Sequence, residues 1–513
     1  MNSTLQVNPF FWLILIAFIV ALAARRVKVP YALALVVTGV ALGLTHLLPY
    51  THLDPTILFT VFLPPLLFEA AIHLRVDELQ RNWIPISLYT FFGTVCSTFI
   101  IGGIAAWTLN IPLAVGCVFG ALISATDPIS VIAIFKKLGA GKRLTLIMEA
   151  ESLFNDGVAA VLFTVMLSAV TTGKFAVAAG IGQFVQLVCG GVLLGGLIGV
   201  LGSRVHYELD DHLVEITLTT VVAFGSYLCA EALHLSGVMA VVAAGLVIGN
   251  VGMLRAMTPG TRLAVTAFWE YAGFVVNSIV FLLIGIEVVY IDWRHRIGLA
   301  LGAALVVLLG RAAIYPISFV VNRLKGAVPL AWQHVLFWGG LRGALSMALI
   351  LGLDRNFPQR ETLVVATFGV VLFSLLIQGL TVGPLMRRLG LSNAQSREPK
   401  DQRRLASELV ACQAAIAELE HLRANEAHPN WSIELLMRDY RVRLTRLEQT
   451  LEEAQPGHRV LHRKQVARAQ QLALEAEKSA LQEATRQGWL DDDDWRDIAV
   501  RIDSELLSLH STE

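Results

Sequence analysis

One stretch of this 513-residue chain, Glu149-Ala150-Glu151-Ser152-Leu153-Phe154-Asn155-Asp156-Gly157, sets carboxylates, a hydroxyl and an amide inside an otherwise apolar run. On a helix Ser152 and Asp156 stand one turn apart, at i and i+4. Glu149 lies a further turn along the same face, and Asn155 sits above Glu151 by the same spacing. Carboxylate, hydroxyl and amide oxygens together suit a hard cation. A second group, Ala125-Thr126-Asp127-Pro128, can bring Thr126 and Asp127 to the same depth. Glu69, Arg311 and Arg342 also fall within apolar runs. A charged side chain at a bilayer centre costs about 2.5–3.5 kcal/mol on insertion scales, so each of these residues marks a function or a paired structural role.

Buried charges must pair. Glu151 with Arg311 is the preferred structural pair, and Arg342 is the second candidate partner. Glu69 is open between three roles: cation ligand, pore acid and structural partner. Glu149 is placed either structurally or in a cytoplasmic funnel. Asp156 has no nearby cation in its own segment to hold it charged, which marks it as the working carboxylate. His46, His52 and His73 read as ordinary interfacial residues. Cys96, Cys117, Cys189, Cys229 and Cys412 show no metal-site or disulfide spacing.

The elements that must position these groups are membrane helices. The chain is 55% hydrophobic and 16% charged, with a mean hydropathy of +0.63. Soluble domains carry about 25% charged residues. The net charge is zero, which gives no reason to expect a nucleic-acid partner. About 20 apolar residues cross a bilayer. That ruler gives about 13 spans, near 8–24, 29–48, 56–74, 84–108, 112–136, 144–170, 178–202, 212–233, 235–251, 262–290, 297–321, 330–352 and 361–386. Met1–Pro9 has no Lys or Arg, so the first run reads as an uncleaved span rather than a signal peptide. Alternate connections hold sixteen Lys and Arg residues against five in the opposite set, which predicts the N-terminus outside and the tail in the cytoplasm.

Two spans carry break signals. Pro128 has no N–H to donate and disfavours helix at Asp127. Gly339-Gly340-Leu341-Arg342-Gly343 interrupts the twelfth span. Irregular backbone at membrane depth must be buried or line a polar site. The fifth and twelfth spans hold the same place in two six-span halves, the pattern of an inverted-repeat transporter. Asp127 and Arg342 are suited to neutralising the positive and negative ends of the broken helices. The predicted fold is therefore all-α and polytopic: residues 8–390 form two inverted six-helix repeats with broken crossing helices, and residues 391–513 form a helical cytoplasmic tail, regulatory or oligomerising. In that tail Leu405, Leu409, Cys412, Ile416 and Leu419 form an apolar seam. Further helices are expected near 431–453 and 460–486, and Gly488 and Asp491–Asp494 mark the end of one helix and the start of another.

Phe62-Leu63-Pro64-Pro65-Leu66-Leu67-Phe68-Glu69, Ala125-Thr126-Asp127-Pro128, Glu151-Ser152-Leu153-Phe154-Asn155-Asp156 and Gly340-Leu341-Arg342-Gly343 resemble, in order, signatures of the cation:proton antiporter family. The closest branch holds bacterial NhaP-type antiporters and animal sodium/proton exchangers. The resemblance covers residues 10–390, and the tail from Arg486-Gln487-Gly488 onward is similar to the end of bacterial exchangers. It implies 13 spans, a homodimer, and a six-helix core moving against a dimerisation domain. It also implies ion ligands on Thr126, Asp127, Ser152 and Asp156, with Glu69 nearby, a structural Asn155 and a Glu151–Arg311 salt bridge.

The implied mechanism is competition: Asp156 holds either a proton or a partly dehydrated Na⁺, and only the loaded, neutral site crosses cheaply. Asn155 has no proton to exchange, where relatives with Asp at this position are electrogenic, so one-for-one electroneutral exchange is expected, with a role in pH and sodium homeostasis at the plasma membrane. Li⁺ or K⁺ could replace Na⁺ at such oxygens, and no cofactor is called for. A passive cation channel is the alternative reading, but charges on two broken helices fit alternating access better. An intramembrane aspartyl protease would place Gly-x-Gly before its active Asp, which neither Asp127 nor Asp156 has.

Overall fold

The computed structural model describes residues 9–27, 30–45, 55–127, 129–173, 177–206, 211–291, 296–324, 326–392, 400–425 and 431–454, with 293, 474 and 502. Among the described residues all regular structure is helical. A chain this apolar must satisfy its backbone within each segment, and helices do so. The chain begins with α1 (Pro9–Val27) and α2 (Tyr31–Thr45), followed by α3 (Pro55–His73) and α4 (Trp83–Leu109). The first broken rod is α5 (Leu113–Ser124) and α6 (Ile129–Leu138). Next come α7 (Lys142–Thr172), α8 (Ala178–His206), α9 (His212–Ala232), α10 (Gly237–Leu254), α11 (Pro259–Val289) and α12 (Ile297–Arg323). The second broken rod is α13 (Leu330–Trp338) and α14 (Ala344–Leu351), and α15 (Arg360–Arg388) follows it. Nine of these helices, α3, α4, α7 to α12 and α15, are each long and apolar enough to cross a membrane.

Both interruptions fall where the sequence predicts them. Pro64 and Pro65 do not break α3: its ladder widens to π-helix over Leu58–Phe62 just ahead of them and then continues as α-helix. In α12 regular helix stops at Arg311 and resumes at Ile314. Pro316 explains this bend, because it cannot donate to the carbonyl of Ala312.

The helices pack as two bundles. In one, α5 lies against α4 and α7, and α12 against α4 and α15, with α6 and α13 on α15. In the other, α11 lies against α2, α1 and α3, and α10 against α8, α9 and α3. The seam between them is formed where α7 touches α3, α8 and α10, and where α14 touches α11. Glycines bring helices within each bundle to main-chain contact. A Cβ on Gly39 of α2 would lie 2.9 Å from Gly285 Cα of α11, and one on Gly102 of α4 would lie 2.7 Å from Cys117 Cα of α5. Carbon atoms pack no closer than about 3.5 Å, so neither position has room for a side chain.

The chain divides into two compact units, Met1–Ala394 and Gln395–Glu513. The second contains α16 (Lys400–Asn425) packed on α17 (Trp431–Ala454). The seam predicted for α16 is where the pair meets. Cys412 is buried and donates to the Tyr440 carbonyl, and Met437 and Leu447 are buried on α17. The helix expected at 460–486, apart from residue 474, and the positions Gly488 and Asp491–Asp494 lie outside the described residues.

Candidate functional site

The two broken rods meet at their breaks. The Asp127 N–H donates to the Leu341 carbonyl at 2.8 Å, so the crossing is made by main chain. Each break leaves helix-end carbonyls without partners. Arg342 answers one set: its Nη1 donates to the carbonyls of Ser124 (2.8 Å) and Ala125 (3.0 Å) at the end of α5. Its own N–H donates to Ser374 Oγ at 3.1 Å, where α15 opens into a π-helical turn. Arg311 answers the other set, donating from Nε and Nη2 to the Leu336 carbonyl near the end of α13 at 3.3 and 3.1 Å. Ser346 Oγ donates to the Leu122 carbonyl at 2.8 Å and adds a further tie between α14 and α5.

Arg311 also meets Glu151 in a two-pronged pair, Nη1 to Oε1 at 2.7 Å and Nη2 to Oε2 at 3.1 Å. Glu151 is 1% exposed, so this pair is fully desolvated at the carboxylate. Arg342 is therefore not the partner of Glu151; it holds the α5 terminus instead. Asn155, one turn along α7, donates from Nδ2 to Glu151 Oε1 at 3.4 Å and to Thr126 Oγ1 at 3.2 Å. Thr126 and Ser152 share a hydrogen bond of 3.0 Å between their hydroxyls.

These ties bring Thr126, Asp127, Ser152 and Asp156 to one place. A cavity of about 60 Å³ opens there, bordered by Thr126, Asp127, Asp156, Asn277 and Ser346 and closed on one side by Leu63, Leu66, Leu67 and Ala70 of α3. That is room for a few water molecules or a partly hydrated ion. The Asp156 carboxylate lies within hydrogen-bond reach of the Thr126 N–H and within electrostatic range of Asp127. The Asp127 side chain rests against Gly343, where a Cβ would lie 3.2 Å from its Cγ, at the positive N-terminal end of α14. Carboxylate, hydroxyl and amide oxygens converge there, while Arg311 is paired with Glu151, and Arg342, whose Nη1 is held by the α5 carbonyls, stands within electrostatic range of Asp156.

The structure does not bring Glu69 to this cavity. Its side chain lies beside His73 and over Gly273 of α11. Glu149 sits two turns before Asp156 on α7, within electrostatic range of His73 and Lys136, and does not border the cavity. Asn277 does border it, and sequence reasoning passed it over. An uncharged amide in the long apolar run of α11 was the available signal.

The sequence matches the family described as sodium/hydrogen exchanger, transmembrane, over residues 14–388. It is 35% identical to the Na(+)/H(+) antiporter NhaG of Bacillus atrophaeus over 515 residues, covering 98% of this chain and 97% of that protein. It is 41% identical to the Na(+)/H(+) antiporter ApNhaP of Aphanothece halophytica over 408 residues, covering 79% of this chain and 77% of the relative. In fold it is similar to the sodium proton antiporter MjNhaP1 of Methanocaldococcus jannaschii, with a TM-score of 0.60 at 21% identity, covering 74% of this chain and 97% of that one.

Proposed function

This chain belongs to the sodium/hydrogen exchanger family, and we propose that it exchanges Na⁺ for H⁺ by competition of the two cations for Asp156. The observation that carries this reading is the cavity at the helix crossing, where Asp156 stands among oxygen donors while Arg311 donates to Glu151 and Arg342 to the α5 carbonyls. Arg342 lies within electrostatic range of Asp156 without forming an ion pair with it, so a mobile cation completes the balance of its charge. Na⁺ takes it with oxygens from Thr126, Asp127 and Asn277, which border the same cavity, while Ser152 holds the Thr126 hydroxyl from behind; a proton takes it alone. A bare carboxylate in a closed apolar surround is disfavoured, so the unloaded site does not cross. The names of the relatives support Na⁺ over K⁺ as the transported ion.

In this reading the chain crosses the plasma membrane 13 times with its N-terminus outside, and the α4–α7 and α12–α15 bundle moves against the other. A homodimer belongs to this reading, and the outward face of α8, where Leu193 and Leu197 are exposed, is open to lipid or to a second copy. The exchange serves pH and sodium homeostasis.

The test is transport in proteoliposomes holding a pH-sensitive dye and an imposed pH gradient. Added Na⁺ is expected to collapse the gradient, and K⁺ to do so far less. No collapse with Na⁺, Li⁺ or K⁺ would overturn the reading. Because Asn155 only donates hydrogen bonds at the site, exchange is expected to be electroneutral. Its rate should be the same with and without a valinomycin-imposed potential, and a voltage-dependent rate would refute one-for-one exchange.

A further inference from the structure

The exchange reading requires one bundle to move against the other, and the chain passes between them after α3, α7 and α11. The first of these passages, from Leu74 to Asn82, is braced from both sides. On the α10 side, Asn250 Oδ1 accepts from the Val76 N–H at 2.9 Å. Its Nδ2 donates to the carbonyls of Leu74 at 2.8 Å and Leu246 at 2.9 Å. The two peptide groups that flank Arg75 are therefore held by one side chain. Each peptide is planar, so holding both fixes φ and ψ of the residue between them, here −87° and 125°. Arg75 is itself exposed, and its side chain pairs with the neighbouring Asp77 at 3.1 Å.

From that brace the helix Val76–Arg81 projects with no buried residue, a rod about 9 Å long. It ends at Asn82, whose backbone leaves the helical region (φ −118°, ψ 22°) before α4 begins at Trp83. The Asn82 amide joins the two sides. Its Nδ2 donates to the Glu78 carbonyl of the rod at 3.0 Å, and its Oδ1 accepts from Arg143 Nε at 2.7 Å. Arg143 stands at the start of α7, the helix that carries Asp156. Its Nη1 and Nη2 donate to the carbonyls of Ala327 and Gly326, each at 2.9 Å, and its guanidinium lies over the Trp332 ring of α13. One side chain thus ties the passage to α7 and to the connection that precedes α13.

We propose that Asn82 is a pivot between the bundles, and that Asn250 and Arg143 are positioning residues that confine the motion to it. Asn250 makes the rod part of the bundle containing α3 and α10. Arg143 makes the far side of Asn82 part of the bundle containing α7. Backbone rotation is then taken up at one junction, as hinges take it up in a few residues at element ends. Asp156 travels with α7 while its ties to the broken rods stay intact. This inference rests on the exchange reading above, and none of its residues borders the cavity.

The test uses the full chain in proteoliposomes and reads kcat and KM for Na⁺ separately. Asn250→Ala removes the brace and is expected to lower kcat about fivefold, the effect of losing about one buried hydrogen bond, with KM unchanged. Adding Arg75→Pro should restore the rate. Proline fixes φ near the value that Asn250 imposes, and the extended backbone of Leu74 suits a following proline. Arg143→Lys keeps the charge but loses the planar fork that reaches three acceptors, and is expected to lower kcat by a similar factor at constant KM. At exposed position 75, Arg75→Gly loosens the joint and is expected to turn over about threefold more slowly than Arg75→Ala. A double variant as slow as Asn250→Ala alone, which is what a packing role would give, overturns the proposal. So do equal rates for Arg75→Gly and Arg75→Ala, or an Asn250→Ala protein at the wild-type rate. Failure of the exchange reading would be separate and visible first, as an absence of Na⁺-dependent proton flux in wild type.

Discussion

An Asp156→Asn protein is expected to fold and to exchange nothing. The substitution keeps the shape of the side chain and an oxygen that can accept from the Thr126 N–H, so the crossing of the broken rods has no reason to come apart. What it removes is the charge that a cation must balance. At an effective dielectric constant near 20, a cation about 4 Å from a carboxylate gains about 4 kcal/mol, close to three decades in affinity. It also removes the proton-binding oxygen, so neither half of the exchange survives. Thermal unfolding of the purified variant should match wild type while Na⁺-driven collapse of a pH gradient falls to the level of empty liposomes. Residual exchange at a tenth of the wild-type rate would place the competition on another carboxylate, with Asp127 the first to examine.

The opposite phenotype is expected from Arg311→Met. This change touches no residue bordering the cavity, yet it leaves Glu151 charged at 1% exposure and strips two donors from the Leu336 carbonyl. Breaking one side of a buried pair costs about 3–5 kcal/mol, because the remaining charge has no solvent to return to. The variant should therefore lose folded yield and melt well below wild type. Adding Glu151→Gln should recover much of the loss, since the orphaned charge is gone and Asn155 can still donate to the amide oxygen. An Arg311→Met protein as stable as wild type would show that the pair does not hold the bundle together.

The sequence carried the architecture at the points where local chemistry is decisive. Pro128 beside Asp127 and the run Gly339–Gly343 around Arg342 disfavour continuous helix at charges that must be buried, so both interruptions could be read from the sequence. The pairing of Glu151 with Arg311 could be inferred because a buried carboxylate needs a cation and few were available. The same logic left Arg342 as the second candidate, and only geometry shows it on the carbonyls of Ser124 and Ala125. Pro64 and Pro65 leave α3 continuous because a π-turn absorbs the lost donors, and helix spacing does not reveal that accommodation. The direction of Glu69 was not legible either. Rotation of α3 about its own axis is set by its packing on α10 and α11, not by its own pattern of residues, because apolar side chains surround the whole helix. For the same reason Asn277 was overlooked.

The main-chain contacts at Gly39–Gly285 and Gly102–Cys117 have a consequence for the lipid around the protein. Helices that touch backbone to backbone cannot slide or tilt against one another without lifting apart. Each bundle is thus stiff, and in the proposed exchange one bundle shifts its apolar belt relative to the bilayer without reshaping itself. The surrounding hydrocarbon must then thin or thicken to follow, at a cost of fractions of a kcal/mol for each Å of mismatch. Turnover in a protein built this way is governed in part by the elasticity and thickness of the membrane that holds it.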